Sequence, residues 1–323
     1  MSSRSEAQPY DPVAPSASDA ERVPSDLPRT PAEARRSHLE SAAWRRVLVG
    51  GIRLLPPSIV RASLPGWAAF FYPQVPAVRR AIRANLLRLG ASSSPLSLER
   101  RAFGVFERYV ETVANAYSYY VAGRMAERAP TRGLEHMRAA LDGGRGAVLV
   151  TGHIGNWQLG PALLGRDGFP PLTVVMAQEP NAQTQQMERA LRDRRVRVVY
   201  PSETPMLALA LRARLEQGEL VAMQIDRPAG ERGLRVPLLD GFARFAAGPA
   251  LLARALDVPV VPVFFPLRRD GRVETLIERP RFSSGARSQD GELTAGLAAL
   301  YERYVRAYPE QWFNFFDMRD GGR

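Results

Sequence analysis

One of the chain's three histidines has a setting suited to proton transfer. The stretch "TGHIGNWQLG", residues 151–160, follows directly on the apolar run "GAVLV" at 146–150. Gly152 and Gly155 give the backbone room for a sharp turn, and a helix is expected to begin near Asn156. His153 then stands at the carboxyl end of a strand, beside the unsatisfied amides and positive dipole end of a helix start, where a phosphate or a developing oxyanion is stabilised. A neutral imidazole pointing into the cleft there can take a proton from a hydroxyl or amine as it attacks an acyl carbonyl. The bland alternative is a hydrogen-bonded core histidine, against which its place at a strand end argues. Gln158, five positions on, can accept a ring N–H but supplies no charge.

The other chemistries are narrowed by composition. The 323 residues contain no cysteine and no lysine, so all 44 basic residues are arginine. Thiolate nucleophiles, disulfides, Schiff bases and a phosphate-loop lysine are therefore excluded, while bidentate contacts to phosphate or carboxylate are favoured. A formal charge of +11 predicts an anionic partner. His136 reads as a surface helix residue and His38 lies in the leader, so no metal-type spacing includes His153 and no metal is expected. The glycines of "DGGRG" (142–146) precede a strand, the wrong order for a nucleotide loop. Aromatic residues gather at 44–73, at 103–120 and at the carboxyl end instead of alternating with arginines, which places nucleic-acid binding last.

The elements that must position His153 follow from hydrophobic patterning. Residues 1–40, rich in Ser, Pro, Ala and charge, cannot offset their ordering entropy and read as a disordered leader without the apolar core of a secretory signal. Residues 41–127 read as a helical, membrane-associating segment. In it "VLVGGIRLLPPSIVRASLPGWAAFFYP" (47–73) is too often interrupted by Arg and Pro to span a bilayer, but suits an amphipathic segment at an anionic membrane surface. Ordinary core helices are the alternative there. "VRRAIRANLLRLG" repeats Val78, Ile82 and Leu86 at helical spacing and stops at Gly90. From 128 to 323 short β-branched runs ("GAVLV", "PLTVVMA", "VRVVY", "ELVAMQID", "VPVVPVFFPL") alternate with helical stretches such as "TQQMERALRDR" and "MLALALRARLEQG". The fold class is α/β: a mostly parallel sheet flanked by helices, with ligands expected beyond the carboxyl ends of the strands. Two such ends matter, "AVLVTGHIGNW" and "VAMQIDRPAG". The second is followed by a Gly-rich, basic loop, "PAGERGLR".

Several ordered blocks resemble the lauroyl/myristoyl lipid A acyltransferase family, over roughly residues 45–317. They are "RRAIRANL" (79–86), "GLEHMRAALDGGRGAVLVTGHIGNWQLG" (133–160), "DRPAGERGLRVPLLDGFARFAAGPALLARALDVPVVPVFF" (226–265) and "YPEQWFNFFD" (308–317). The resemblance implies an acyltransferase at the cytoplasmic face of the bacterial inner membrane. It would move a fatty chain from acyl carrier protein or coenzyme A to a lipid hydroxyl or amine, with the acyl thioester as co-substrate and no cofactor. His153 would be the general base, with Asn156 and Trp157 of the same motif in substrate binding. Asp226 and Arg227 would form the site floor, and Arg227, Arg232, Arg235 and Arg244 would be candidates for phosphates. The family's acidic partner falls on Gln158. Three readings follow: the amide suffices, another carboxylate such as Glu179 or Asp226 replaces it, or the protein is a catalytically weak relative that binds acyl lipid or carrier. Gln178-Glu179-Pro180 stands where lipid A enzymes commonly place Arg-Pro, which points to a different lipid acceptor.

Overall fold

The computed structural model describes residues 42–90, 94–176, 196–201, 204, 206–228, 233–283, 285–286, 289–316 and 318. The leader, Glu179, Arg232 and the helix expected over "TQQMERALRDR" lie outside these residues.

Four helices open the described chain: α1 (Ala42–Leu54), α2 (Pro57–Phe71), α3 (Pro76–Arg88) and α4 (Pro95–Ala122). Each of the last three has proline at its first position, where a missing N–H costs no intrahelical bond. Ser94 caps α4 by accepting a hydrogen bond from the Ser97 amide at 3.3 Å, and left-handed Gly123 closes it. Val78, Ile82 and Leu86 on α3 meet Leu98, Val105 and Phe106 on α4 in one apolar cluster that also takes in Phe313 and Phe315 near the carboxyl end. The helical segment is thereby packed onto the residues that close the chain. Among the described residues no helix is long and apolar enough to cross a membrane.

The α/β part follows as α5 (Leu134–Leu141), β1 (Val148–Thr151), α6 (Gly160–Arg166), β2 (Leu172–Val175), β3 (Val196–Val199), α7 (Leu207–Glu216), β4 (Leu220–Gln224), β5 (Gly233–Leu238), β6 (Gly241–Ala246), α8 (Gly248–Leu256), β7 (Val260–Phe264), β8 (Leu276–Ile277) and α9 (Asp290–Ala307). The main sheet has the order β3-β2-β4-β1-β7-β8, parallel except for the β7–β8 pair. Successive strand residues face opposite sides. Val148 and Val150 join a core with α7, α8 and α9, while Leu149 joins one with α5, α6 and Ala116 of α4.

Two expectations are corrected. The Gly-rich basic loop is in part a strand: β5 pairs antiparallel with β6, putting Val236, Leu238, Ala243 and Phe245 inward and Arg235, Phe242 and Arg244 outward. Gly233, Pro237 and Asp240-Gly241 are residues that usually punctuate strands, and they masked this alternation. The connection Leu239-Asp240 forces Leu239 to a positive φ of 55°, with its N–H held by Glu302 Oε2 at 2.7 Å. The helix after His153 also starts later than expected. Residues Trp157–Leu159 form one 3₁₀ turn and α6 begins only at Gly160, with seven residues, so the dipole argument for an anion at His153 lapses.

Candidate active site

Strands β1 and β4 are parallel neighbours with Thr151 opposite Gln224. Each chain continues past its strand end through one residue, Gly152 or Ile225, and then presents a titratable side chain. The equal offsets bring His153 Nδ1 to 2.9 Å from Asp226 Oδ1. Asp226 is fully buried, yet both of its oxygens are satisfied. Oδ2 accepts from the His153 backbone N–H at 2.7 Å, from Tyr301 Oη at 2.9 Å and from Asn314 Nδ2 at 3.0 Å. Trp312 Nε1 in turn donates to Tyr301 Oη at 2.8 Å. Such a donor set is what allows a carboxylate to remain ionised out of water. Burial opposes that ionisation most strongly, but the positive charge and hydrogen bond of His153 and the charge of Arg227 outweigh it, holding the carboxyl well below the usual range. The same burial, followed by the Asp226 charge, pushes the Tyr301 phenol far up, so it stays a donor.

Because an ionised carboxylate only accepts, the Nδ1 proton points at Asp226, so that in the neutral imidazole the lone pair lies on Nε2. Gly152 is required at the turn: a Cβ there would run into the Tyr301 ring and approach Asp226 Oδ2. Gly155 has φ +64° and passes so close to the Phe265 carbonyl that no side chain fits. The closing segment runs along this loop. Phe313 N donates to the His153 carbonyl at 2.8 Å, Gly155 N to the Gln311 carbonyl at 3.1 Å, and the Gln311 side chain clamps both backbone groups of Leu267.

The His153 ring is not in an open cleft, as expected from sequence, but is 6% exposed with Trp157 in edge contact, 5.0 Å between centroids. Trp157 also lines an apolar cavity of about 210 Å³ under α6. Same-face strand residues floor it: Leu149 and Thr151 of β1, Ala222 and Gln224 of β4, Leu172 and Val174 of β2, Val196 and Val198 of β3. Small Ala222, level with Leu149 and Val174, leaves the space.

The matching family model, bacterial lipid A biosynthesis acyltransferase, covers residues 31–317. The chain belongs to this family. Among its relatives, a phosphatidylinositol mannoside acyltransferase of Mycolicibacterium smegmatis is 28% identical over 195 residues, 59% of this chain and 62% of that protein. A phosphatidylinositol mannoside acyltransferase of Mycobacterium tuberculosis is 25% identical over 277 residues, 84% of each chain.

Within this lipid A acyltransferase family member the sequence-predicted residues divide. His153 and Asp226 are in contact. Gln158, which the resemblance sets at an acidic position, does not orient the ring: it lines the cavity, and its buried Oε1 has no hydrogen-bond partner among the described residues. Asn156 is fully buried, with Oδ1 3.4 Å from Asn115 Nδ2. Arg227 lies on the closing segment, with Nε 3.3 Å from Asn314 Oδ1, a second nitrogen 3.1 Å from the Phe313 carbonyl, and the guanidinium stacked over Phe316. Arg244 is on the outer face of the hairpin, 3.2 Å from the Gly233 carbonyl. Sequence reasoning missed Tyr301, Trp312 and Asn314. Its one available signal was an amide inside the aromatic run "QWFNFF", since a buried amide must find partners. Among the described residues no three His, Asp or Glu side chains converge as a metal would need.

Proposed function

We propose that the protein transfers a fatty acyl chain from a thioester, on coenzyme A or acyl carrier protein, to a hydroxyl of a glycolipid. The observation that carries this is the meeting of the His153–Asp226 pair with an apolar cavity through one shared side chain, Trp157. An acyl chain seated in the cavity brings its carboxyl end to the histidine. Nε2 takes the proton of the acceptor hydroxyl as that oxygen attacks the thioester carbon. The carbon–sulfur bond then breaks, the thiolate leaves, and the imidazolium returns the proton to it. Asp226 holds the ring and offsets its charge in the step between, which is the part the family pattern gives to position 158. Glu179 remains a further candidate for contact with substrate.

The relatives' acceptor, a phosphatidylinositol mannoside, is the first to test. Purified protein given acyl-coenzyme A and phosphatidylinositol mannoside should release free thiol and form acylated lipid, and His153→Ala should do neither. Turnover by wild type and His153→Ala at equal rates overturns the reading. Binding of thioester without transfer would leave the non-catalytic alternative.

We also infer peripheral attachment to an anionic, cytoplasm-facing membrane. Helices α1 and α2 expose Leu54 (85%), Phe70 (60%) and Ile59 (50%) beside exposed Arg53 and Arg61. Protein staying in the soluble layer when floated with phosphatidylglycerol liposomes would count against attachment.

A further inference from the structure

The cavity is mostly apolar, with Tyr117 and Tyr120 of α4 and three further polar residues in its lining. Thr151, Gln158 and Gln224 each have a polar atom shielded from solvent with no hydrogen-bond partner among the described residues: Thr151 Oγ1, Gln158 Oε1 and Gln224 Nε2. Thr151 and Gln224 face one another across the β1–β4 pair, two residues before His153 and Asp226 respectively. Gln158 follows Trp157, the side chain that touches both the ring and the cavity. Thr151, Gln158 and Gln224 thus supply a polar collar to the lining, each within five residues of His153 or Asp226 in sequence, while the apolar remainder of the lining includes residues of β2 and β3.

Buried polar atoms without partners are rare and call for an explanation, most often a ligand or water that completes them. A plain alkyl chain passing through the collar would leave one acceptor, one donor and one hydroxyl unpaired. A group that only accepts, such as a thioester carbonyl, would satisfy Gln224 but not Gln158. What fits all three is a group that donates and accepts at one oxygen. The geometry points to a donor acyl chain bearing a hydroxyl near its carboxyl end, a 3-hydroxyacyl thioester, as the preferred substrate class. This rests on the cavity being the acyl site, as proposed above.

The test compares 3-hydroxymyristic with myristic acid by calorimetric titration, since free acids lack a pantetheine arm. The hydroxy acid should bind about tenfold more tightly or better, because a site built around a hydroxyl discriminates against the analogue without it. In Gln224→Leu and Thr151→Val the ratio of the two affinities should fall toward parity. Equal affinity of the two acids for wild type overturns the inference and leaves the acyl site standing, and this needs no variant to fold. No binding of either acid removes the acyl site itself. If there is no hydroxyl preference but acyl-coenzyme A binding is lost in the variants, the collar serves amides of the pantetheine arm and the inference is likewise overturned.

Discussion

Two polar clusters lie at the ends of the same two strands, and they are finished in opposite ways. Around Asp226 every acceptor position is filled, by His153, Tyr301 and Asn314. Along the cavity, two residues upstream on each strand, Thr151 and Gln224 have atoms without a hydrogen-bond partner among the described residues, as does Gln158. A completed network fixes geometry and resists change. An incomplete one costs stability unless something else completes it. The difference separates the part of the site that holds a side chain in place from the part shaped for a visitor, and substitutions in the two should fail differently.

The largest effect is expected on the completed side. His153→Ala should lower acyl transfer by about 10³-fold, the usual scale for a general base, and cost less stability than Asp226→Ala, because three other donors to the buried carboxylate remain. Asp226→Ala should instead strike stability. It removes the acceptor for four donors and leaves them buried, for a loss of about 3–5 kcal/mol in urea unfolding. Asp226→Asn keeps the shape but lacks the charge, so it should fold and still lose much of the activity. A larger stability loss for His153→Ala than for Asp226→Ala would reverse the assignment of scaffold and base.

Acid should expose the same asymmetry. The Asp226 carboxyl is held well below its ordinary value by His153 and Arg227 against the opposing effect of burial. A depressed carboxylate contributes stability that is fully present above the unfolded value near pH 4 and is lost as pH falls toward the folded one. The stability gap between wild type and Asp226→Asn, measured by urea unfolding from pH 7 to pH 2.5, should stay level down to about pH 4 and narrow below it. A gap that widens in acid would mean the carboxyl is already neutral in the folded protein.

Much of this frame was legible in the sequence, and what was not has a common cause. Helix α3 was marked by apolar spacing and by Gly90, and the parallel strands by β-branched runs. His153 stood out because it follows such a run. Asp226 could be named only as one of several carboxylates, since its contact with His153 depends on β1 pairing with β4, strands far apart in the chain with β2 and β3 between them. Tyr301 and Asn314 reach Asp226 from 75 and 88 residues away. The cavity was equally hidden, because it needs Ala222 to fall level with Leu149 and Val174 in a register that no local pattern encodes.

On the incomplete side, Ala222→Phe should fill the cavity floor. Transfer of a long acyl chain should drop about tenfold or more while a four-carbon thioester is spared, with at most about 1–3 kcal/mol of overpacking cost. Parallel losses with both thioesters would place the acyl chain elsewhere and dissolve the contrast between the clusters.

The smallest effect should come from restoring the family's acid. If position 158 oriented the histidine, Gln158→Glu would supply a missing charge and raise activity. Nδ1 is already taken by Asp226, however, and the 158 side chain lines the cavity instead of meeting the ring. A carboxylate placed there, in the lining of a mostly apolar cavity, would be desolvated and would favour its neutral form. Transfer by Gln158→Glu is therefore expected within about threefold of wild type, too small a change for a restored orienting charge. A gain of an order of magnitude would show that Asp226 orients the ring without compensating its charge, and that the completed cluster lacks one member after all.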